Sequence, residues 1–236
     1  MFSTRFVMLT AARTGSNALA SALNSHRQIY SDLEIFHADR VFGNQLDCET
    51  PQARDADPFA FLERMENRAA ALKPEANVFG FKLFLDHNTA VKKKLIANPH
   101  WKKVVLARKN TLDQFISLTI AQRLEHWATH IAFDKTTKIT LDIEAYKRFH
   151  DDMSENFAHT RDTLTAQCAN WIDLDYDHVA RSDYSALLHF LGADLSEQIQ
   201  PITAKQNPAS TARKLLNADE VHSYLTANNL EGMWVD

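Results

Sequence analysis

Cysteine, glycine and proline are all scarce in this sequence. Its 236 residues include two cysteines, Cys48 and Cys168, with five glycines and six prolines. Two cysteines without a CxxC pair give no support to a disulfide framework or a zinc scaffold, and they fit a reducing compartment. Because the few glycines and prolines mark no linker and no repeat is visible, we expect a single domain over residues 1–236.

Long apolar runs and a strong charge of either sign are also missing. No stretch approaches the roughly 20 apolar residues that a membrane span requires. The start of the chain, Met1–Thr10, is too short and too mixed for a signal peptide. A formal net charge of -4, from 26 basic and 30 acidic residues, argues against a general nucleic-acid binder. We therefore expect a cytoplasmic protein, and its net charge is compatible with a local basic pocket for one anionic ligand.

Short apolar runs alternate with helical patterns along the chain. The predicted strands are Phe6–Leu9, Asn77–His87, Lys102–Ala107 and Asn170–Tyr176, and the predicted helices are Pro58–Leu72, Thr111–Trp127, Tyr146–Cys168 and Tyr184–Phe190. This alternation indicates an α/β fold with a largely parallel sheet. Ligands of such sheets bind beyond the carboxyl ends of the strands, so the turns there are candidate binding loops. The polar stretch Asp47–Pro58 is expected to be an exposed loop.

The turn after the first predicted strand carries a candidate anion site, RTGSNAL at 13–19. It lacks the lysine of a Walker A loop and the glycines of a dinucleotide fingerprint. Amides at a helix start nevertheless favour an anion, as does the helix dipole. Arg13 adds a positive charge, and Ser16 and Asn17 can donate hydrogen bonds. An ordinary helix cap beside a solvated arginine explains this segment equally well.

A second basic turn follows the third predicted strand. Arg108 and Lys109 come directly after Ala107, and Ser117 lies roughly two turns into the next predicted helix. A phosphate near the strand end can be bound by a cation of the turn and by the hydroxyl of the helix. Taken alone, the two cations are more typical of a solvated strand end than of a phosphate site.

The order of these segments resembles the PAPS-dependent sulfotransferases, which transfer a sulfuryl group from 3′-phosphoadenosine-5′-phosphosulfate (PAPS) to an acceptor. Within them, the chain is most similar to the bacterial branch that includes trehalose sulfotransferase. RTGSNAL resembles the family's R-[ST]-G-[ST] loop for the 5′-phosphosulfate. ARKNTLDQFIS resembles its R-N-x-x-D-x-x-x-S-like motif for the 3′-phosphate. The resemblance implies a three-layer α/β/α, P-loop NTPase-like sulfotransferase fold with a central, mainly parallel sheet.

The resemblance also implies roles for particular residues. The residues implied to bind the 5′-phosphosulfate are Arg13, Thr14, Gly15, Ser16, Asn17 and Ala18. Lys82, in FGFKLFLDH, would neutralise charge near the bridging oxygen, with Arg13 as a second catalytic cation. Ser117 would bind the 3′-phosphate with Arg108 or Lys109. That choice stays open, because Lys109 stands where an arginine is usual. Lys205, in ITAKQNPAS, would reach a phosphate from a late loop that closes over the nucleotide.

The segment SDLEIFH resembles the part of the bacterial family that holds the general base, which makes Glu34 the implied base. His37 is the rival, because imidazole titrates in the right range unaided, and His87 is a further candidate. No HExxH-like spacing occurs among the histidines, so we expect no metal. PAPS would be the co-substrate and PAP the product. The acceptor would be a glycan or a small alcohol.

Three questions stay open at this point. The sequence leaves a homodimer as one alternative to a monomer. A nucleotide-dependent kinase with a degenerate phosphate loop is the alternative activity, although the chain lacks the GK[ST] motif that holds phosphate and magnesium. The third question is whether the chain is an enzyme at all, because a relative of the family can bind the nucleotide without transferring a group.

Overall fold

A computed structural model provides the fold of the chain. It describes residues 2–41, 50–125, 137–197, 199–200 and 210–235.

The centre of the fold is a five-stranded sheet. Its strands are β1 (Thr4–Thr10), β2 (Ile29–Asp32), β3 (Val78–Phe84), β4 (Trp101–Ala107) and β5 (Trp171–Asp175). Their order across the sheet is β2-β3-β1-β4-β5. Each pairing between these strands is parallel. The expected α/β fold with a largely parallel sheet is therefore confirmed.

Helices connect the strands and follow the last of them. They are α1 (Ser16–Ser25), α2 (Pro51–Ala56), α3 (Pro58–Leu72), α4 (Thr89–Ala97), α5 (Thr111–Leu124), α6 (Ile143–Ala166), α7 (Tyr176–Ala180), α8 (Ser185–Leu191), α9 (Thr211–Lys214) and α10 (Ala218–Ala227), with a 3-10 turn at Glu231–Met233. The predicted helix at Pro58–Leu72 matches α3 at both ends. Within the described ranges, no helix is both long and apolar enough to cross a membrane.

Two apolar clusters cover the two faces of the sheet. Successive strand residues point to opposite faces, so Val7 and Leu9 of β1 join one cluster while Phe6 and Met8 join the other. Helices α3, α4 and α6 complete the first cluster, and α1 and α8 complete the second. Helices on both faces of a parallel sheet form the three-layer α/β/α arrangement that the family resemblance implied.

A third apolar cluster supports α5 beside the sheet. Leu112 and Ile116 of α5 pack there with Tyr146 of α6 and with Val221 and Leu225 of α10. All five side chains are fully buried. This packing fixes the orientation of α5, the helix that begins after the second basic turn.

The carboxyl ends of the central strands lie level with one another. Thr10, the last residue of β1, pairs with Phe84 of β3 and with Leu106 of β4. The chain passes from β1 towards β2 on one side and later from β3 to β4 on the other side of β1. This reversal is a topological switch point, the place where open α/β sheets form a ligand crevice.

For the described residues 50–58, the prediction of a loop over Asp47–Pro58 is wrong, although most of these residues are exposed as predicted. The Thr50 side chain accepts a hydrogen bond from Ala53 N at 3.2 Å and caps α2. Asp57 caps α3 in the same way, accepting from Ala60 N at 3.1 Å. The polar residues that suggested a loop are therefore helix caps, and Arg54 between them is buried.

Candidate functional site

The loop between β1 and α1 has an unusual backbone. Arg13 and Gly15 adopt positive φ angles of 65° and 85°. The value at Gly15 favours glycine, and a Cβ there would also lie 2.9 Å from Cδ2 of Tyr176. Gly15 is the N-cap of α1 and has no side chain with which to cap it. The first amides of α1 therefore receive no hydrogen bond from the N-cap side chain and can bind an anion.

Some side chains of this loop stabilise the loop itself, and others reach towards neighbouring charged residues. Thr14 Oγ1 is fully buried, lies 2.6 Å from Thr10 Oγ1 and donates to Ala11 O at 2.9 Å. Its hydroxyl therefore braces the loop from within. Asn17 extends towards the sheet, where its Oδ1 accepts a hydrogen bond from Lys82 Nζ.

The two basic turns meet at the end of the sheet. Arg13 Nε donates a 2.9 Å hydrogen bond to Ser117 Oγ on α5. Arg108 Nη1 donates to Arg13 O at 3.4 Å, and its guanidinium lies 4.2 Å from the centre of the Tyr176 ring. Burial lowers the pKa of Arg13, and the neighbouring charge of Arg108 lowers it further. Two guanidinium groups held this closely in a partly desolvated place favour an anionic ligand.

A carboxylate orients the second of these cations. Arg108 Nη2 donates to Asp113 Oδ2 at 3.0 Å, and Lys214 Nζ donates to Asp113 Oδ1 at 3.1 Å. Asn110 caps α5 by accepting from Asp113 N at 2.8 Å. The first turn of α5 is thus a fixed support for Arg108.

The two cations after β4 differ in burial. The Arg108 side chain is 10% exposed and touches the β1–α1 loop, whereas that of Lys109 is 87% exposed and lies 3.5 Å from Asp175. Lys205 falls outside the described residues.

Lys82 of β3, which is buried, forms an ion pair with Glu34 of the loop after β2, which is half-buried. Lys82 Nζ is 2.6 Å from Glu34 Oε1, and Lys82 is 1% exposed. Burial lowers the pKa of Lys82, Glu34 opposes that change, and the charge of Arg13 adds to it. Because Arg13 acts on Lys82, the ion pair and the basic turns share one electrostatic environment.

Two histidines stand beside Glu34. His37 follows it in the same loop, and His87 follows β3, with 5.1 Å between the centres of the two rings. His87 stacks on Phe84 at 4.8 Å between ring centres, and burial lowers the pKa of the imidazole. Both rivals for the role of base thus lie in the same place as Glu34.

Arg54 holds this loop, although it gave no signal in the sequence. It is 1% exposed, and its Nη1 donates to three carbonyl oxygens of the loop. These belong to Ile35, His37 and Arg40, at 3.1, 2.7 and 3.3 Å. Asp55 accepts from its Nε and Nη2 at 2.8 and 2.9 Å. Tyr176 was also missed, although it is the last residue of a predicted strand and ligands of parallel sheets bind at that end of the strands.

Comparison with known proteins bears on the fold. No protein-family profile matches the chain, and no curated protein matches it. Among solved structures, a sulfotransferase from Alicyclobacillus acidocaldarius matches 98% of this chain and 95% of its own, with a TM-score of 0.57 and 16% sequence identity. At that identity the likeness establishes the sulfotransferase fold and distinguishes no branch within it.

Proposed function

We propose that this protein is a PAPS-dependent sulfotransferase that sulfates a hydroxyl group of a carbohydrate or a small alcohol. The observation that carries the proposal is the meeting of the two basic turns, where Arg13 Nε lies 2.9 Å from Ser117 Oγ. The Glu34–Lys82 pair beside them adds the groups that a transfer reaction needs. The fold of the Alicyclobacillus acidocaldarius sulfotransferase supports the proposal, and the RTGSNAL motif favours the bacterial, trehalose-type branch.

The charges of the crevice fit a ligand with two separate anionic groups. Arg13, Ser16 and the first amides of α1, from residues 16–18, suit a 5′-phosphosulfate. Arg108 and Ser117 suit a 3′-phosphate, because an arginine at the wall of the crevice can form a bidentate contact. We prefer Arg108 to Lys109 for this role, since most of the Lys109 side chain faces solvent. Lys205 remains a proposed phosphate ligand.

The Glu34–Lys82 ion pair supplies the two catalytic groups that belong to the protein. PAPS, when bound, supplies an activated sulfuryl group. Glu34 accepts the proton of the acceptor hydroxyl, and Lys82 neutralises negative charge that develops at the bridging oxygen. Asn17 and Glu34 hold the Lys82 ammonium from two sides, which fixes its position. Because Lys82 is buried, water screens its charge weakly, and its effect on the transition state is correspondingly large.

Glu34 is a better candidate base than His37 because it contacts Lys82 directly. A carboxylate next to the cation lies beside the reacting oxygen, and a general base has to be within hydrogen-bond reach of its proton. The two cysteines without a CxxC pair support a cytoplasmic setting, and the few glycines and prolines, which mark no linker, support a single domain.

A transfer assay with radiolabelled PAPS and a panel of sugars and small alcohols tests the proposal. We expect labelled product with at least one acceptor and without magnesium. Glu34→Gln should reduce turnover by at least about 100-fold, the usual contribution of a general base, while PAP affinity changes by less than about twofold. His37→Gln is the matched comparison and should retain most turnover. Full activity of Glu34→Gln would exclude Glu34 as the base, and transfer of phosphate from Mg-ATP would favour the kinase.

A further inference from the structure

Three potential metal ligands converge beside the Glu34–Lys82 pair. Glu34 and His37 come from the loop after β2, and His87 comes from the turn after β3. One donor atom of each lies within 4.8 Å of the other two. His87 is 7% exposed, and within the described residues its buried Nδ1 has no hydrogen-bond partner. A buried imidazole nitrogen without a partner is costly unless a ligand satisfies it.

Two imidazoles and one carboxylate form a donor set with defined preferences. Mg²⁺ and Ca²⁺ bind oxygen ligands, whereas Zn²⁺ and its neighbours in the first transition row bind imidazole. Three protein ligands with a fourth position open are typical of accessible zinc sites. A tetrahedral Zn²⁺ would hold these donors about 3.3 Å apart. Because Glu34 and His37 are only half-buried, rotation of their side chains can close the remaining distance.

We propose that Glu34, His37 and His87 bind one divalent transition-metal ion, with Zn²⁺ as its representative. The sequence did not indicate this site, because His87 lies 50 residues beyond His37 and no local spacing joins them.

The backbone around the three ligands is already fixed. Arg54 donates hydrogen bonds to the carbonyl oxygens of Ile35 and His37, in the loop after β2 that carries two of the ligands. Its partner Asp55 also accepts a 2.9 Å hydrogen bond from Asn88 Nδ2, next to His87. One network of side chains therefore holds both loops, which reduces the ordering that metal binding requires.

Metal binding competes with two contacts of the metal-free chain. The ion takes the place of Lys82 as the partner of Glu34, which now lies 2.6 Å from Nζ. Coordination through His37 Nδ1 would also replace the 3.1 Å hydrogen bond that Asp39 N donates to this atom. One consequence rests on the proposed function: a metal ion on Glu34 removes the general base, so zinc inhibits sulfuryl transfer.

Direct titration tests the site without any assay of activity. The full chain, stripped with a chelator and dialysed, is titrated with Zn²⁺ by calorimetry and with Co²⁺ by visible absorption. We expect one ion per chain and a Co²⁺ ligand-field spectrum that Zn²⁺ abolishes. His37→Gln and His87→Gln should each weaken binding by at least about tenfold. His159→Gln, an exposed histidine on α6, is the matched control and should bind like the unaltered chain.

Failure to bind Zn²⁺, or equal affinity in His37→Gln and the control, would overturn the proposal. Circular dichroism identifies a variant that has not folded. If His87→Gln does not fold, His37→Gln decides, because that side chain is half-buried and its loss leaves the core intact. If zinc binds at this site without slowing sulfuryl transfer, the proposed inhibition by zinc is wrong. A chain that binds zinc here yet transfers no sulfuryl group would support the metal site and contradict the proposed function.

Discussion

At the scale of single residues, the crevice concentrates charges that are only partly solvated. The pKa of Lys82 and that of Arg13 are both lowered, in each case mainly by burial. Desolvation of this kind is costly in the free chain and is offset when an anion binds. Perturbed cations gathered in a cleft are also typical of functional sites. We therefore expect each of these side chains to contribute to ligand binding.

Arg13→Ala and Ser117→Ala should each weaken the binding of PAP. The arginine change should cost at least about tenfold, because hydrogen bonds to charged groups contribute about 1.5–3 kcal/mol. The serine change should cost less, since it removes one neutral hydroxyl. Calorimetric titration measures both. Lys109→Ala serves as the control and should stay within about threefold of the unaltered chain. A larger loss for Lys109→Ala than for Arg108→Ala would assign the 3′-phosphate to Lys109.

Asp32, at the end of β2, makes stability depend on pH. Burial raises the pKa of this carboxyl, against the opposing effects of the Leu33 amide and of Arg68. The folded state therefore binds more protons than the unfolded state above the ordinary value of 3.8, and the free energy of unfolding falls as the pH rises through the raised pKa.

Asp32→Asn should remove this loss of stability. We expect its Tm to match that of the unaltered chain near about pH 4 and to exceed it by at least about 2 °C near neutrality. Thermal unfolding followed by circular dichroism across this range measures the difference. A difference in Tm that does not change with pH would show that burial of the carboxylate is not its cause.

At the scale of elements, apolar runs predicted most of the sheet. β1 and β4 each contain a predicted strand, and β3 and β5 each lie within one. In contrast, β2 (Ile29–Asp32) is a four-residue edge strand with two polar positions. Helix α2 was missed because its sequence, PQARDA, has almost no apolar face. Short elements that depend on caps and tertiary contacts give little periodic signal.

The candidate site, like the sheet, could be predicted in part from the sequence. Parallel strands place their following turns at one edge of the sheet, so the proximity of Arg13 and Arg108 follows from the strand pattern. The Glu34–Lys82 contact joins a loop residue and a strand residue that are 48 positions apart, and only the family resemblance suggested that both lie in the site. Contacts of Arg54 across the loop depend on tertiary packing, which no local pattern encodes.

Arg54→Met should loosen the loop that carries Glu34. Loss of the guanidinium leaves buried carbonyl oxygens without their donor, which should lower the free energy of unfolding by about 3 kcal/mol. Turnover should fall by at least about tenfold while PAP affinity stays within about twofold, because the nucleotide loops lie elsewhere. Chemical denaturation, transfer kinetics and calorimetry measure these three effects.

Arg148→Met, at an exposed position on α6, is the matched control for Arg54→Met and should change none of the three quantities. Turnover that survives in Arg54→Met would show that this arginine supports the fold without positioning Glu34.

At the scale of the whole molecule, net charge and local charge have opposite signs. The chain carries a formal charge of -4, yet Arg13, Arg108 and Lys82 gather where β1, β3 and β4 end. The topology explains this, because a reversal of strand order opens a crevice at the carboxyl ends of the central strands. A basic crevice in an acidic protein selects one anionic ligand and disfavours nucleic acid along the rest of the surface.

The central claim is that this crevice binds a nucleotide with a 3′-phosphate. Calorimetric titration of the purified chain with PAP tests it most directly, with AMP, which lacks the 3′-phosphate, and with ADP and Mg-ATP as controls. We predict one PAP per chain, bound without magnesium and at least about tenfold more tightly than AMP or ADP, because a second phosphate adds charged hydrogen bonds. No binding of PAP, or a preference for Mg-ATP, would contradict the sulfotransferase proposal and favour the kinase.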